Sequence, residues 1–180
     1  MDSTQLLEKL SAMTKSNLAE ALNFQQLTVE QLNKRGTAGG WTILECIEHL
    51  NLYGDFYIPE IKNRISQAKH KPSESFKSGI LGHYFAKMML PKENLKKIKT
   101  FKSMDPIHKS LGTNVLDKFI NQQKEILEIL ETAKNVNLTK TKTSISISKW
   151  IKLRLGDTFQ VLIYHNLRHI MQAKKVYESF

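Results

Sequence analysis

The chain has little cysteine and no long hydrophobic run, and each shortage excludes a class of protein. Cys46 is the single cysteine, so no disulfide can form within the chain. No apolar run approaches the roughly 18 residues that a membrane-spanning helix needs. The N-terminal segment MDSTQLLEKLSAM lacks the basic start and apolar stretch of a secretory signal. Together these absences predict a cytoplasmic protein without a membrane segment.

Three common catalytic patterns are also missing. The sequence has no Ser-His-Asp order, no phosphate-cradling glycine loop and no CxxC pair. The chemical signal lies instead in histidine, of which the chain has six. Three of these, His70, His83 and His108, lie in polar or irregular segments, and we interpret them as surface or loop residues.

Length and composition predict one domain, residues 1–180, with a core of ordinary size, since 41% of residues are hydrophobic and 24% charged. The net charge of +10 is uneven, with a net −4 in residues 1–60 and two lysine-rich stretches at 87–102 and 134–154. We interpret these stretches as solvated surface. Nucleic acid is the weaker interpretation, because few aromatic residues and no nucleic-acid motif accompany the positive charge.

Helical periodicity dominates the first third of the chain. Leucines at mostly helical spacing predict a first helix over residues 3–33, capped by Ser3 or Asp2. Residues 36–40, GTAGG, predict a loop.

A capping box then predicts the start of a second helix. Thr42 precedes Glu45 by three residues, and Trp41 stands at the position before the cap. The apolar spacing of this helix continues to Ile65. Pro59 lies inside the pattern, so we expect it to kink or divide the helix.

The second half of the chain predicts two more long helices. One covers roughly residues 113–134. The last follows Asp157, whose cap-like spacing to Gln160 predicts the start of the helix, and runs to about residue 177. Residues 139–148 alternate like a strand but are isolated, so we expect a loop there. Residues 70–111 form a long connection with one short helix. The prediction is an all-α four-helix bundle with its one long connection between the second and third long helices.

The most informative residues are three histidines on apolar helix faces. His165 and His169 form H-x-x-x-H, which places both on one side of a helix and within its apolar stripe. His49 lies on the apolar edge of the second helix. A single inward histidine is usually a core imidazole bonded to a carbonyl or carboxylate. Three together favour a divalent metal with open coordination positions, which is typical of a catalytic site.

Several neighbours of these histidines have more than one interpretation. Glu45 and Gln172 are candidates for orienting the imidazoles. Tyr53 could hydrogen-bond a substrate or pack in the core. Cys46 could be a fourth ligand, although such a cysteine is more often a small buried apolar residue. Arg168 could form a salt bridge or contact an anion at the rim. No side chain stands out as a general acid or base.

Two motifs carry a resemblance to a known family. The first, W-[ST]-x-x-E-x-x-x-H, is formed by Trp41, Thr42, Glu45 and His49. The second, H-x-x-R-H-x-x-Q, is formed by His165, Arg168, His169 and Gln172. In order and spacing the chain resembles the DinB-like superfamily of metal-binding four-helix bundles, which includes the YfiT-type proteins described as hydrolases. The resemblance spans nearly the whole chain.

The resemblance implies a divalent metal, usually zinc or nickel, held by His49, His165 and His169. It also implies a small-molecule substrate and is compatible with a homodimer. Known members include transferases and isomerases that use low-molecular-weight thiols. We therefore predict a metal-dependent enzyme, either a hydrolase or a low-molecular-weight-thiol S-transferase. The alternative is a non-catalytic metal- or small-ligand-binding bundle, and a basic nucleic-acid-binding protein is less favoured.

Overall fold

The computed structural model describes residues 1–37, 39–91 and 100–180. Parts of the predicted loop at 36–40 and of the lysine-rich stretch at 87–102 therefore lie outside the described residues. The helices are α1 (Ser3–Phe24), α2 (Val29–Asn33), α3 (Ile43–Ser66), α4 (Ile80–Met89), α5 (Asn114–Thr132) and α6 (Leu155–Tyr177). The strands are β1 (Lys142–Ile145) and β2 (Ser148–Arg154), and short 3-10 turns lie at Lys102–Met104 and Ala133–Asn135.

The four long helices α1, α3, α5 and α6 pack into a bundle. Helices α3 and α1 each contact both α5 and α6, which defines the arrangement around the bundle axis. The long connection lies between α3 and α5 and contains α4, which packs on α6. The predicted all-α bundle is confirmed, including the place of its long connection. Within the described residues, no helix is long and apolar enough to cross a membrane.

Side-chain caps set the starts of the first helices. The Asp2 carboxylate accepts a hydrogen bond from the Gln5 amide at 2.8 Å, and Thr42 and Glu45 form the predicted capping box. The prediction of one helix through residues 3–33 is wrong at its end, because α1 stops at Phe24. Thr28 then starts α2 with a second capping box, so the local caps override the continuous leucine spacing.

Pro59 does not divide the second long helix, so that part of the prediction is wrong. Helix α3 runs through it as 24 residues. Pro59 is exposed, whereas Ile58 and Ile61 on either side are buried. Packing of these isoleucines in the core compensates for the hydrogen bond that proline cannot donate.

The expectation of a loop at residues 139–148 is also wrong, because β1 and β2 form an antiparallel hairpin. Thr143 pairs with Leu153, and both side chains are buried. The hairpin is attached to α3 through the Ser144 amide, which donates to Glu60 at 2.7 Å. A strand needs a partner, and the packing of the hairpin on α3 provides the support that an isolated pair of strands lacks.

Helix α6 begins at Leu155, directly after β2, three residues earlier than predicted. Asp157 does not cap it. The Asp157 carboxylate lies in the first turn and accepts hydrogen bonds from the Gly79 amide at 2.9 Å and from the Ser78 hydroxyl. Asp157 therefore joins the start of α6 to the start of α4.

The buried apolar side chains form two groups, one toward each end of the bundle. Between the two groups, each long helix carries buried polar side chains. We call this set the polar layer: Thr14 and Asn17 on α1, Asn51 on α3, Gln122 and Gln123 on α5, and His165 and Asn166 on α6. Hydrogen bonds cross it, since the Gln122 amide donates to the Asn51 carbonyl at 3.1 Å and the Asn166 amide to Gln123 at 3.4 Å. The histidine site lies at this level.

Candidate metal centre

Helices α3 and α6 bring the three predicted histidines together. His49, His165 and His169 each offer one ring nitrogen, and these nitrogens lie within 4.8 Å of one another. We call this set the histidine cluster. His49 and His165 are 3% and 7% exposed, and His169 is half-buried. The proximity of side chains that are more than a hundred residues apart in sequence follows from the packing of α3 on α6.

The spacing of the nitrogens fits a shared metal ion. Nε2 of His49 lies 3.2 Å from Nε2 of His165. Two nitrogens bound to one zinc ion at about 2.0–2.1 Å in a tetrahedral arrangement lie about 3.3 Å apart. The two imidazoles thus stand at the separation that a common metal requires. The same distance also permits an N–H···N hydrogen bond when no metal is bound.

The outer nitrogens of two rings are fixed in the manner typical of metal-binding histidines. Nδ1 of His49 lies 2.6 Å from the Met104 carbonyl oxygen, and Nδ1 of His169 lies 2.9 Å from the Gln172 side-chain oxygen. Both oxygens only accept, so each Nδ1 carries the proton. In the neutral rings, the lone pair is then on Nε2, which is the nitrogen that His49 directs toward His165.

Burial keeps the cluster neutral. It lowers the pKa of His169 to about 3, and it lowers the pKa of His165 well below the ordinary value of 6.5. The neighbouring imidazoles lower both pKa values further. Burial also lowers the pKa of His49, although the Met104 carbonyl and the Asp105 charge act in the opposite direction. Neutral imidazole is the form that binds metals.

Glu45 does not orient His49 as the sequence suggested. Its carboxylate is 2% exposed and accepts from the Arg35 guanidinium at 2.7 and 2.9 Å. It also accepts from the backbone amides of Thr42 at 2.8 Å and His108 at 2.6 Å. Burial raises the pKa of the Glu45 carboxyl, but these hydrogen bonds outweigh burial and hold the pKa below its ordinary value. Glu45 thus links the segment between α4 and α5 to the start of α3.

A cavity of about 700 Å³ opens beside the histidine cluster. Two aromatic rings border the imidazoles. The Trp41 ring centroid lies 4.7 Å from that of His49 and 5.6 Å from that of His169. The Tyr53 centroid lies 5.0 Å from His49 and 4.6 Å from His165. The cluster therefore has a protected but open side, which is what a site for small molecules requires.

The other predicted neighbours differ in their relation to the cavity. Tyr53 and Arg168 line it. Cys46 is fully buried in an apolar group, and burial raises the pKa of its thiol, so it serves the core rather than the cluster. Gln172 holds His169 as predicted. Glu48, which precedes His49, is half-buried and accepts from the Asn51 amide at 3.2 Å.

Sequence reasoning missed two parts of the site. Met104 acts through its backbone carbonyl, which no side-chain pattern can indicate. The hairpin contributes Ile145 and Ile147 to the cavity wall, and only the alternation in residues 139–148 could have indicated a strand there. His70, His83 and His108 are exposed as predicted. His108 has a positive φ of 61°, and its backbone amide donates to the Glu45 carboxylate.

Comparison with known proteins identifies the family. A family model described as the DinB superfamily matches residues 12–173, which is most of the chain. Searches of curated proteins and of solved structures found no significant match. The match includes all four long helices in whole or in large part and all three residues of the histidine cluster. The resemblance predicted from the two motifs is confirmed: the chain belongs to the DinB superfamily.

Proposed function

We propose that this protein binds a divalent metal, zinc or nickel, through His49, His165 and His169 and acts as a metal-dependent enzyme on a small molecule. The observation that carries the proposal is the meeting of three imidazoles, two buried and one half-buried, with nitrogens within 4.8 Å, beside a cavity of about 700 Å³. A purely structural site would use four ligands and would need no cavity. The reaction class is hydrolysis or transfer of a low-molecular-weight thiol.

The residues around the cluster support this chemistry. A metal bound by three histidines can activate water or a thiol at its open positions. The Met104 carbonyl and Gln172 fix the orientation of two imidazoles, so little reorganisation is needed on binding. The Tyr53 ring stands against two histidines and lines the cavity, where its hydroxyl can donate a hydrogen bond to a substrate.

Metal content of the purified protein tests the proposal first. Tag-free native protein would be compared by elemental analysis with His49→Ala, His165→Ala and His83→Ala, the last an exposed control. We expect about one divalent ion per chain in the native protein and the control, and loss of the ion in the other two. Native protein that takes up neither zinc nor nickel on incubation would refute the metal site.

Turnover separates the enzyme from a non-catalytic bundle. Metal-loaded native protein would be screened with ester and amide substrates and with thiol transfer to electrophiles. In the enzyme, His165→Ala abolishes turnover while the helical circular dichroism remains. A metal-loaded protein without turnover in both screens, whose melting temperature falls strongly in His165→Ala, would support the non-catalytic alternative. The homodimer and the cytoplasmic location stay predictions.

A further inference from the structure

We infer that the cavity binds an amphiphilic carboxylate, with its carboxylate held by Arg168 and its apolar body along the wall toward the hairpin and α4. This inference rests on the proposed function in one respect, because it takes the cavity as the substrate site. It adds the class of ligand, which neither the histidine cluster nor the family match defines.

The walls of the cavity are suited to an apolar body. Its volume of about 700 Å³ lies within the range of roughly 300–1,000 Å³ that is typical of small-molecule sites. Apolar side chains come from four elements: Tyr53 and Tyr57 of α3, Phe85, Met88 and Met89 of α4, Ile145 and Leu153 of the hairpin, and Val161 and Leu162 of α6. Methionine side chains adapt to ligands of varied shape, so two of them in the wall favour a flexible chain.

The charges on the cavity wall define where a head group binds. Among the described lining residues the cations are Arg168 and Lys175, both on α6, and the acid is Asp105. Asp105 directly follows Met104, whose carbonyl holds His49, so the negative charge lies on the α3 side of the cluster. The α6 side therefore carries the positive charge that an anion requires.

Arg168 is better placed than Lys175 to hold a carboxylate. It is half-buried and lies between His165 and His169 in sequence, whereas Lys175 is exposed and lies two turns further along α6. Its guanidinium donates to the Met88 carbonyl at 3.4 Å, which places it at the junction of α6 and α4. A guanidinium has five N–H donors in a planar fork that matches a carboxylate, so it can hold a carboxylate in addition to its contacts within the protein.

The direction of the ligand follows from the order of residues on α6. Val161 and Leu162 precede Arg168 by about two turns, roughly 10 Å along the helix axis. Both line the cavity, as do Ile145 and Phe85. An apolar chain that starts at Arg168 and runs toward the start of α6 thus passes along apolar walls, with its head group beside the histidine cluster.

Binding of decanoate, 1-decanol and decyltrimethylammonium to metal-free protein tests the inference. Affinities would be measured by calorimetry, below micelle-forming concentrations and with chelator present. We expect decanoate to bind at least tenfold more tightly than the other two. Arg168→Gln should remove that preference and leave decanol binding unchanged. The matched control Lys175→Gln should change the preference for decanoate less than threefold. Equal affinities for decanoate and decanol, or an unaltered preference in Arg168→Gln, would overturn the inference.

A chain-length series tests the apolar wall separately. From hexanoate to decanoate, the affinity should rise about fourfold for each added methylene, because each is removed from water. An affinity independent of chain length would contradict the predicted path of the apolar body. Because these measurements need no metal, their failure leaves the metal site standing, and a protein that binds decanoate without ever taking up metal would overturn only the proposed function.

Discussion

Replacing Glu45 by Gln should destabilise the protein, because an amide cannot replace all the hydrogen bonds that this carboxylate accepts. One oxygen accepts from the Thr42 amide and from Arg35, and the other from Arg35 and the His108 amide. In glutamine one oxygen becomes an NH₂ group, which only donates. Whichever way the amide is turned, two donors lose their acceptor.

The expected cost follows from which of these donors water can reach. The Arg35 side chain is 34% exposed and can turn toward solvent. The backbone amide of Thr42 or of His108 cannot move away from Glu45 without moving the chain. A donor left unsatisfied in a buried position costs about 1–3 kcal/mol, and loss of the partly buried His108 bond lies toward the lower end of that range. For a protein of this size, that corresponds to a fall in melting temperature of roughly 2–12 °C.

The cost should depend on pH in a defined direction. The folded pKa of Glu45 lies below its ordinary value of 4.5, so its contribution to stability is present above that pH and is lost as the pH falls through the folded pKa. Urea unfolding of native protein, Glu45→Gln and the control Glu48→Gln at pH 7 and at acidic pH measures this. The difference between native protein and Glu45→Gln should shrink in acid.

Two results would refute this reasoning. One is an effect of Glu45→Gln at pH 7 within about 0.5 kcal/mol of that of Glu48→Gln, which lies on the same helix and accepts one hydrogen bond. The other is an undiminished difference in acid. A further readout is metal affinity. His108 follows Met104 by four residues, so release of His108 should loosen the carbonyl that holds His49 and weaken metal binding by about 10–100-fold.

Three further predictions concern packing, pH and metal removal. Gly54→Ala places a Cβ 2.1 Å from the Gln122 side-chain oxygen and should lower the free energy of unfolding by about 1–3 kcal/mol. In urea unfolding, the double variant with Gln122→Ala should lose less free energy than the sum of the two single losses, and strict additivity would contradict the clash. Metal-free protein should lose stability as the pH falls from 6.5 toward 3, because the lowered pKa of His169 means that the unfolded chain binds more protons than the folded one. The melting temperature should depend less on pH in His169→Gln, and an equally steep dependence in that variant would contradict this reasoning. At a hundredfold excess of metal over Kd, bound metal should stabilise native protein by about 2.7 kcal/mol, so chelation should remove that free energy and lower the melting temperature; His49→Ala should show no such response in differential scanning calorimetry.

The sequence was sufficient for the parts of the fold that depend on local patterns. Helical periodicity and the capping box at Thr42 predicted α3 and its start, and H-x-x-x-H predicted that His165 and His169 share a face. These features depend on residues three or four positions apart, so they are visible in a single sequence.

The remaining features depend on contacts between distant segments. The hairpin forms because residues 148–154 return to pair with 142–145 and because both pack on α3, and neither fact is visible in either segment alone. Likewise, the partner of His49 is the backbone of Met104, whose side chain gives no signal. Glu45 was chosen as that partner because it stands one helical turn before His49, whereas in the structure its hydrogen bonds are directed away from the cluster.

The polar layer limits how α3, α5 and α6 can slide along one another. Its residues are buried with leucines and isoleucines on both sides, so a shift of α5 by one turn would separate Gln122 from the Asn51 carbonyl and Gln123 from the Asn166 amide. An uncompensated buried amide is costly, whereas apolar side chains exchange for one another at little cost. A bundle with a uniform apolar core would tolerate several helix registers. This layer selects one register, and it is the register in which His49 and His165 face each other.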